Sequence, residues 1–187
     1  MAETEIKQRL ELRYRVYQIT LILFWVEELQ HHLGELFGLL RETSRGRKLK
    51  RLCEVKTFKA KCNCLASEGW LTADQQTLAI DAYGMRNDVA HEMFKMLGTV
   101  AWRPGDLGKL AGARTKEIGI AEPVEFDYFA AGSARKAAYC IRGLVAARRG
   151  DGDLAACFTR QSVPFSPIDE IIEAELVQID REWDEAP

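Results

Sequence analysis

The residue types that could do chemistry gather in one short run, Arg86-Asn87-Asp88-Val89-Ala90-His91. Arginine brings a permanent cation whose planar fork matches a phosphate, and histidine is the side chain that gains and loses a proton near neutral pH. Phosphodiester chemistry needs both. The imidazole takes a proton from a nucleophile or hands one to a leaving oxygen, while the guanidinium neutralises charge building on the equatorial oxygens. On a helix, Asn87 and His91 share a face one turn apart. Arg86 lies five residues before His91, so their directions diverge by about 140°. The arginine side chain can wrap toward the imidazole, or two such helices meeting across a dimer can pool two of each. Asn87 is placed to orient phosphate or His91, and Asp88 or Glu92 to tune the imidazole's proton affinity.

The element that must position these groups is one long helix, expected from about Thr72 to Leu97. Thr72 and Gln75 have the spacing of a capping box, in which each side chain satisfies a free amide of the other residue. Leu78, Ala82, Met85, Val89, Met93 and Met96 recur at spacings of four and three and lay one apolar stripe toward a core. The opposite face carries Ile80, Tyr83, Gly84 and Phe94 where a wetted face would carry Lys, Glu and Gln. That pattern predicts a helix covered on both sides, by another helix or by a second copy of the chain.

The run Arg86-Asn87-Asp88-Val89-Ala90-His91 resembles the Arg-Asn-x-x-x-His signature of HEPN domains, a helical family of prokaryotic nucleases and related proteins. Met85 before the motif, Ala90 just before the histidine and Glu92 just after it are similar too, and the close match covers about residues 69–97. The resemblance implies an all-α, HEPN-like bundle of four to five helices, with Arg86, His91 and Asn87 as catalytic residues. It implies an active site composed at a homodimer interface through the motif helix, and products ending in a 2′,3′-cyclic phosphate. It also implies a toxin or phage-defence role in a bacterial cell, with an antitoxin such as a nucleotidyltransferase as a partner.

The rest of the chain reads as helical material around this element. Residues 5–40 predict one or two helices, apolar on most sides from Val16 to Leu29 and therefore central. Between Arg41 and Lys61 stand nine Lys and Arg against two Glu, with a turn at Ser44-Arg45-Gly46 and a helix expected from Arg47 to Ser67. Arg47, Lys48, Lys50 and Arg51 are the candidate RNA-contacting residues, since polyanion affinity comes mainly from neutralised phosphates. Glu68-Gly69-Trp70-Leu71 ends that helix. Residues 98–125 hold several glycines and two prolines without a sustained period, which predicts a loop-rich insertion with one short helix near 107–113. Gly105-x-x-Gly108 lacks the Gly-Lys-Ser/Thr ending of a phosphate loop.

A helix is expected over Ser133–Arg149, then a turn at Gly150–Asp153, a short helix over Leu154–Phe158 and a last helix over Ile168–Trp183. Ile171, Ile172, Leu176, Ile179 and Trp183 are the expected inner face of that last helix. From Asp169 to Glu185 there are eight acids against Arg181 alone. This end reads as a solubilising outer face, with packing against the basic segment or mimicry of RNA as alternatives.

The 187 residues suit one helical domain, and the 47% apolar and 29% charged composition is that of a globular protein. A net charge of −2 argues against indiscriminate nucleic-acid binding by the whole molecule. The odd count of five cysteines and a charged N-terminus without a signal peptide point to a reducing cytoplasm, and the apolar run from Val16 to Val26 is too short for a membrane span. Cys62 and Cys64, spaced by one residue, lack the second pair a zinc site needs. His31-His32 reads as a helix-end or surface feature, because neighbours on a helix point about 100° apart and no carboxylate–histidine spacing supports a metal site. The sequence reading therefore assigns no metal and no cofactor. It points to a metal-independent endoribonuclease in which the RNA 2′-hydroxyl is the nucleophile; the alternative is a non-catalytic HEPN-like module that binds nucleic acid or a protein partner.

Overall fold

The computed structural model describes residues 2–43, 46–47, 55–98, 123–159 and 167–185; the side chains of 2–5, 7, 8, 11, 12, 15, 87–98, 123–130 and 169 lie outside the description. The described residues form helices and no strand. In chain order these are α1 (Ala2–Glu42), α2 (Phe58–Ser67), α3 (Ala73–Gly98), α4 (Pro123–Arg149), α5 (Gly152–Thr159) and α6 (Pro167–Glu185). The all-α class expected from the periodicity is what the chain adopts.

The helix boundaries follow from local chemistry. Thr57 caps α2, its hydroxyl accepting from the Ala60 amide. At the other end the Gly69 amide donates to Ala66 and the Trp70 amide to Leu65, a Schellman closure. Gly69 carries the left-handed φ of +73° that this closure requires, a conformation costly for a residue with a Cβ. The capping box of α3 forms in full: Gln75 N–H donates to Thr72 Oγ1 at 3.2 Å, and Thr72 N–H donates to Gln75 Oε1 at 2.9 Å. The second Schellman closure, from Gly150 to Ala147 and Asp151 to Ala146, ends α4. Asp151 then caps α5 by accepting from the Leu154 amide at 3.0 Å.

Three expectations shift. Gly46 and Arg47 are helical as expected, 48–54 lie outside the described residues, and 55–57 are not helical, so the expected helix over 47–67 is interrupted and α2 begins at Phe58. The Thr57 cap sets that start, and Val55 and Thr57 are β-branched residues that resist helix entry. Helix α4 begins at Pro123, ten residues before Ser133. Proline suits a first helical turn, where its missing N–H costs nothing, and the aromatic-rich stretch after it hides the helical period. Of the region 98–125, residues 99–122 lie outside the described residues, so the loop-rich insertion and its short helix do too.

The chain divides into two compact units, one of Met1–Leu23, Arg86–Ala131 and Pro164–Pro187, the other of Phe24–Met85 and Gly132–Val163. In the first, Leu10, Ile19 and Ile22 of α1 and Ile172, Leu176 and Ile179 of α6 are buried. Ile171 and Trp183, expected on the inner face, are 62% and 41% exposed. For Ile171 the reason is spacing, since 172, 176 and 179 form the stripe and it stands about 100° off them; Trp183 keeps the stripe's spacing but lies in the last turn of α6. Two of the α6 acids find a partner here. Arg13 of α1 reaches Glu182 at 2.6 Å and Glu175 at 3.7 Å, and Tyr17 donates to Glu175 at 3.1 Å. The Gln178 amide and then Arg13 hold the Glu182 carboxyl below its usual range. Glu173, Asp180 and Asp184 stay exposed, as an outer face would have them.

In the second unit, Val26, Leu29, Leu33, Leu36 and Leu40 repeat at spacings of three and four and are almost completely inaccessible. Ala134, Ala137, Ala138, Ile141 and Val145 form the buried side of α4. Trp25 meets Tyr139 edge-on at 5.1 Å, and Tyr139 lies 5.7 Å from Phe158 of α5. Arg142 lies over Phe158 at 4.7 Å and Arg148 over Trp70 at 4.3 Å, so two α4 cations cover rings of other elements.

Candidate functional site

Helix α3 runs without interruption through the motif, from Ala73 to Gly98. Arg86, Asn87 and His91 therefore lie on one continuous helix. Arg86 is half-buried, one turn after the buried Ala82. The side chains of Asn87 and His91 lie outside the described residues. The back of α3 is covered as expected where it is described: Ile80, Tyr83 and Gly84 are all half-buried. Part of that cover is helix α2, whose Phe58 ring stacks on Tyr83 with centroids 4.2 Å apart and planes 6° from parallel.

The basic segment is described in part. Arg41 and Arg47, both exposed, border a shallow depression of about 570 Å³ with Gly38 and Glu42. A tight turn makes it: Thr43 Oγ1 accepts from the Gly46 amide at 2.8 Å, and the Arg47 amide donates to the Thr43 carbonyl at 2.9 Å. A Cβ at Gly46 would overlap the Leu40 carbonyl, so only glycine closes the turn this way. Lys56 and Lys59 are exposed and Lys61 is half-buried. Lys48, Lys50 and Arg51 lie outside the described residues.

No protein-family model, curated protein or solved structure matches this chain.

A cleft of about 500 Å³ opens where the first turn of α3 meets α4 and α5, lined by Asp74, Gln75, Lys136 and Cys140 among apolar neighbours. Burial pushes the Cys140 thiol up, opposed by the Gln75 side chain and the Lys136 charge. Cys62 is buried outright and its thiol is pushed up to about 12, which leaves it inert. Cys62, Cys64, Cys140 and Cys157 form no disulfide.

The histidine pair departs from its expectation. His31 is exposed, but His32 is buried to 8% exposure. Carboxylates stand at helical spacing on either side of it. His32 Nδ1 lies 2.7 Å from Glu35 Oε2, and His32 Nε2 lies 3.4 Å from Glu28 Oε2. His31 Nε2 is 3.9 Å from the same Glu35 oxygen, and Arg149 of α4 donates to the other one, Oε1, at 2.9 Å. The His32 hydrogen bond is the main influence holding the Glu35 carboxyl below its usual range, with Arg149 adding to it. Glu28, Glu35 and Arg149 are the residues that sequence reasoning missed. Two of them were legible, because 28, 31, 32 and 35 are the i, i+3, i+4, i+7 positions of one helix face. Adjacent side chains leave the helix about 100° apart, yet two imidazoles can still turn their nitrogens toward a carboxylate between them.

Proposed function

We propose that the protein is a metal-independent endoribonuclease of HEPN type, with Arg86 and His91 as its catalytic pair. The observation that carries the reading is the Arg-Asn-x-x-x-His run set within one unbroken helix, α3. In this reaction the RNA 2′-hydroxyl attacks the adjacent phosphorus, forming the P–O2′ bond as the P–O5′ bond breaks. The 2′-hydroxyl gives up its proton and the departing 5′-oxygen takes one; His91 assists that transfer. Arg86 neutralises charge on the phosphorane oxygens and Asn87 orients the phosphate or the imidazole. The products are a 2′,3′-cyclic phosphate and a 5′-hydroxyl.

The basic segment supplies affinity in this reading. Arg47, Lys48, Lys50 and Arg51 track the RNA backbone, which makes binding fall steeply with salt. The working unit is a homodimer joined through α3, in which each copy contributes an arginine and a histidine to a composite site. A toxin or phage-defence role under control of an antitoxin protein follows from the same family reading.

The nucleophile gives the sharpest test. In the presence of EDTA the protein cuts RNA oligonucleotides and leaves 2′-O-methyl RNA of the same sequence intact. Cutting of both would show that the 2′-hydroxyl is not the attacking group. Tight binding of RNA without cutting either would move the assignment to a nucleic-acid-binding module.

A further inference from the structure

We propose that His31, His32 and Glu35 form a binding site for one divalent transition-metal ion, held by His31 Nε2, His32 Nδ1 and Glu35 Oε2. One donor atom from each of the three lies within 4.8 Å of the others. A tetrahedral zinc ion with bonds near 2.0–2.2 Å places its donors about 3.3 Å apart. The observed separations of 2.7 Å for His32–Glu35 and 3.9 Å for His31–Glu35 lie on either side of that value, so binding calls for side-chain rotations that open the first pair and close the second.

What surrounds the three donors is what metal ligands require. A histidine that binds a metal through one nitrogen keeps a proton on the other and usually donates it to a carboxylate, which fixes ring and tautomer. His32 has that neighbour. Its Nε2 is buried without a hydrogen bond, and Glu28 Oε2 stands 3.4 Å away, a small rotation from accepting one. Glu35 is likewise divided between two tasks: Arg149 occupies Oε1 and leaves Oε2 on the side of the histidines. The exposed His31 opens the site to solvent and leaves room for water to complete the coordination.

The donor set selects the ion class. Two imidazoles and one carboxylate suit zinc, cobalt or nickel and not calcium or magnesium, which prefer all-oxygen surroundings. A bound ion would fasten a face of α1 that Arg149 already ties to the end of α4, so its first effect is on the stability of the unit that contains both. It stands apart from the RNA chemistry proposed for Arg86 and His91.

The test uses untagged full-length protein stripped with EDTA and exchanged into chelator-free buffer. Calorimetric titration with zinc, and absorption titration with cobalt as the coloured probe, should each saturate at one ion per chain. His31→Ala changes an exposed residue and Glu35→Gln keeps the side chain's volume, so both leave the fold in place by circular dichroism. Each should weaken zinc binding at least about tenfold. Absence of a saturable one-to-one event in the parent overturns the site. So does either variant that binds zinc as tightly as the parent, because the ion would then be held elsewhere.

Discussion

Arg86 is half-buried on a helix whose start is fixed by its own capping box, so its backbone is already ordered. A cation placed this way loses less freedom when it meets a phosphate than one on a mobile loop. The thiols make the opposite case, residues whose chemistry the fold suppresses. Burial pushes Cys62 up to about 12, so it stays a thiol at pH 8. Peptide mapping after iodoacetamide treatment at pH 8 should find Cys62 unmodified in the folded protein and modified in denaturant. Labelling of the folded protein at the denatured rate would contradict its placement. The spacing of Cys62 and Cys64 already argued against a zinc site; the depth of Cys62 could not be read from a single residue type. The Glu28–His31–His32–Glu35 face is a different case, legible in the spacing but hidden by attention to the adjacent histidines alone.

At the scale of elements, α3 owes its position to α2 as well as to its own stripe. The Phe58–Tyr83 stack joins the first residue of one helix to the back of the other across the Schellman turn at Gly69. Parallel aromatic pairs contribute about 0.5–1.5 kcal/mol beyond the area they bury. A double-mutant cycle of Phe58→Ala and Tyr83→Ala, read by chemical denaturation, should return a coupling energy in that range; additive losses would show that the rings do not interact in solution. The capping box and the turn at Gly69 were legible because their rules are local and stereochemical. The start of α4 at Pro123 was not, because aromatic and β-branched residues blur the 3.6-residue period that marks a helix. The exposed Ile171 teaches the same lesson, since a one-residue offset decides which of two neighbouring isoleucines enters the core.

At the scale of the molecule, opposite charges are divided between the basic segment and the acidic α6, and two of the α6 acids, Glu175 and Glu182, pair with Arg13 of α1. That leaves Arg41 and Arg47 exposed beside their depression and able to meet an anion from outside. No described helix is long and apolar enough to cross a membrane. The helical class was legible because apolar period, caps and turn glycines all agreed along most of the chain. The division into two units was not, because α1 and α3 each cross the boundary without a break in their pattern.

The most direct measurement is cleavage of labelled total RNA with EDTA present, comparing the parent with His91→Ala and Arg86→Ala. The account predicts that the parent cuts and that each variant loses at least about a hundredfold in rate, the size of an acid–base or charge-stabilising contribution. A parent that cannot cut, or variants that cut as fast as the parent, would contradict it and leave Arg86 and His91 as binding or packing residues.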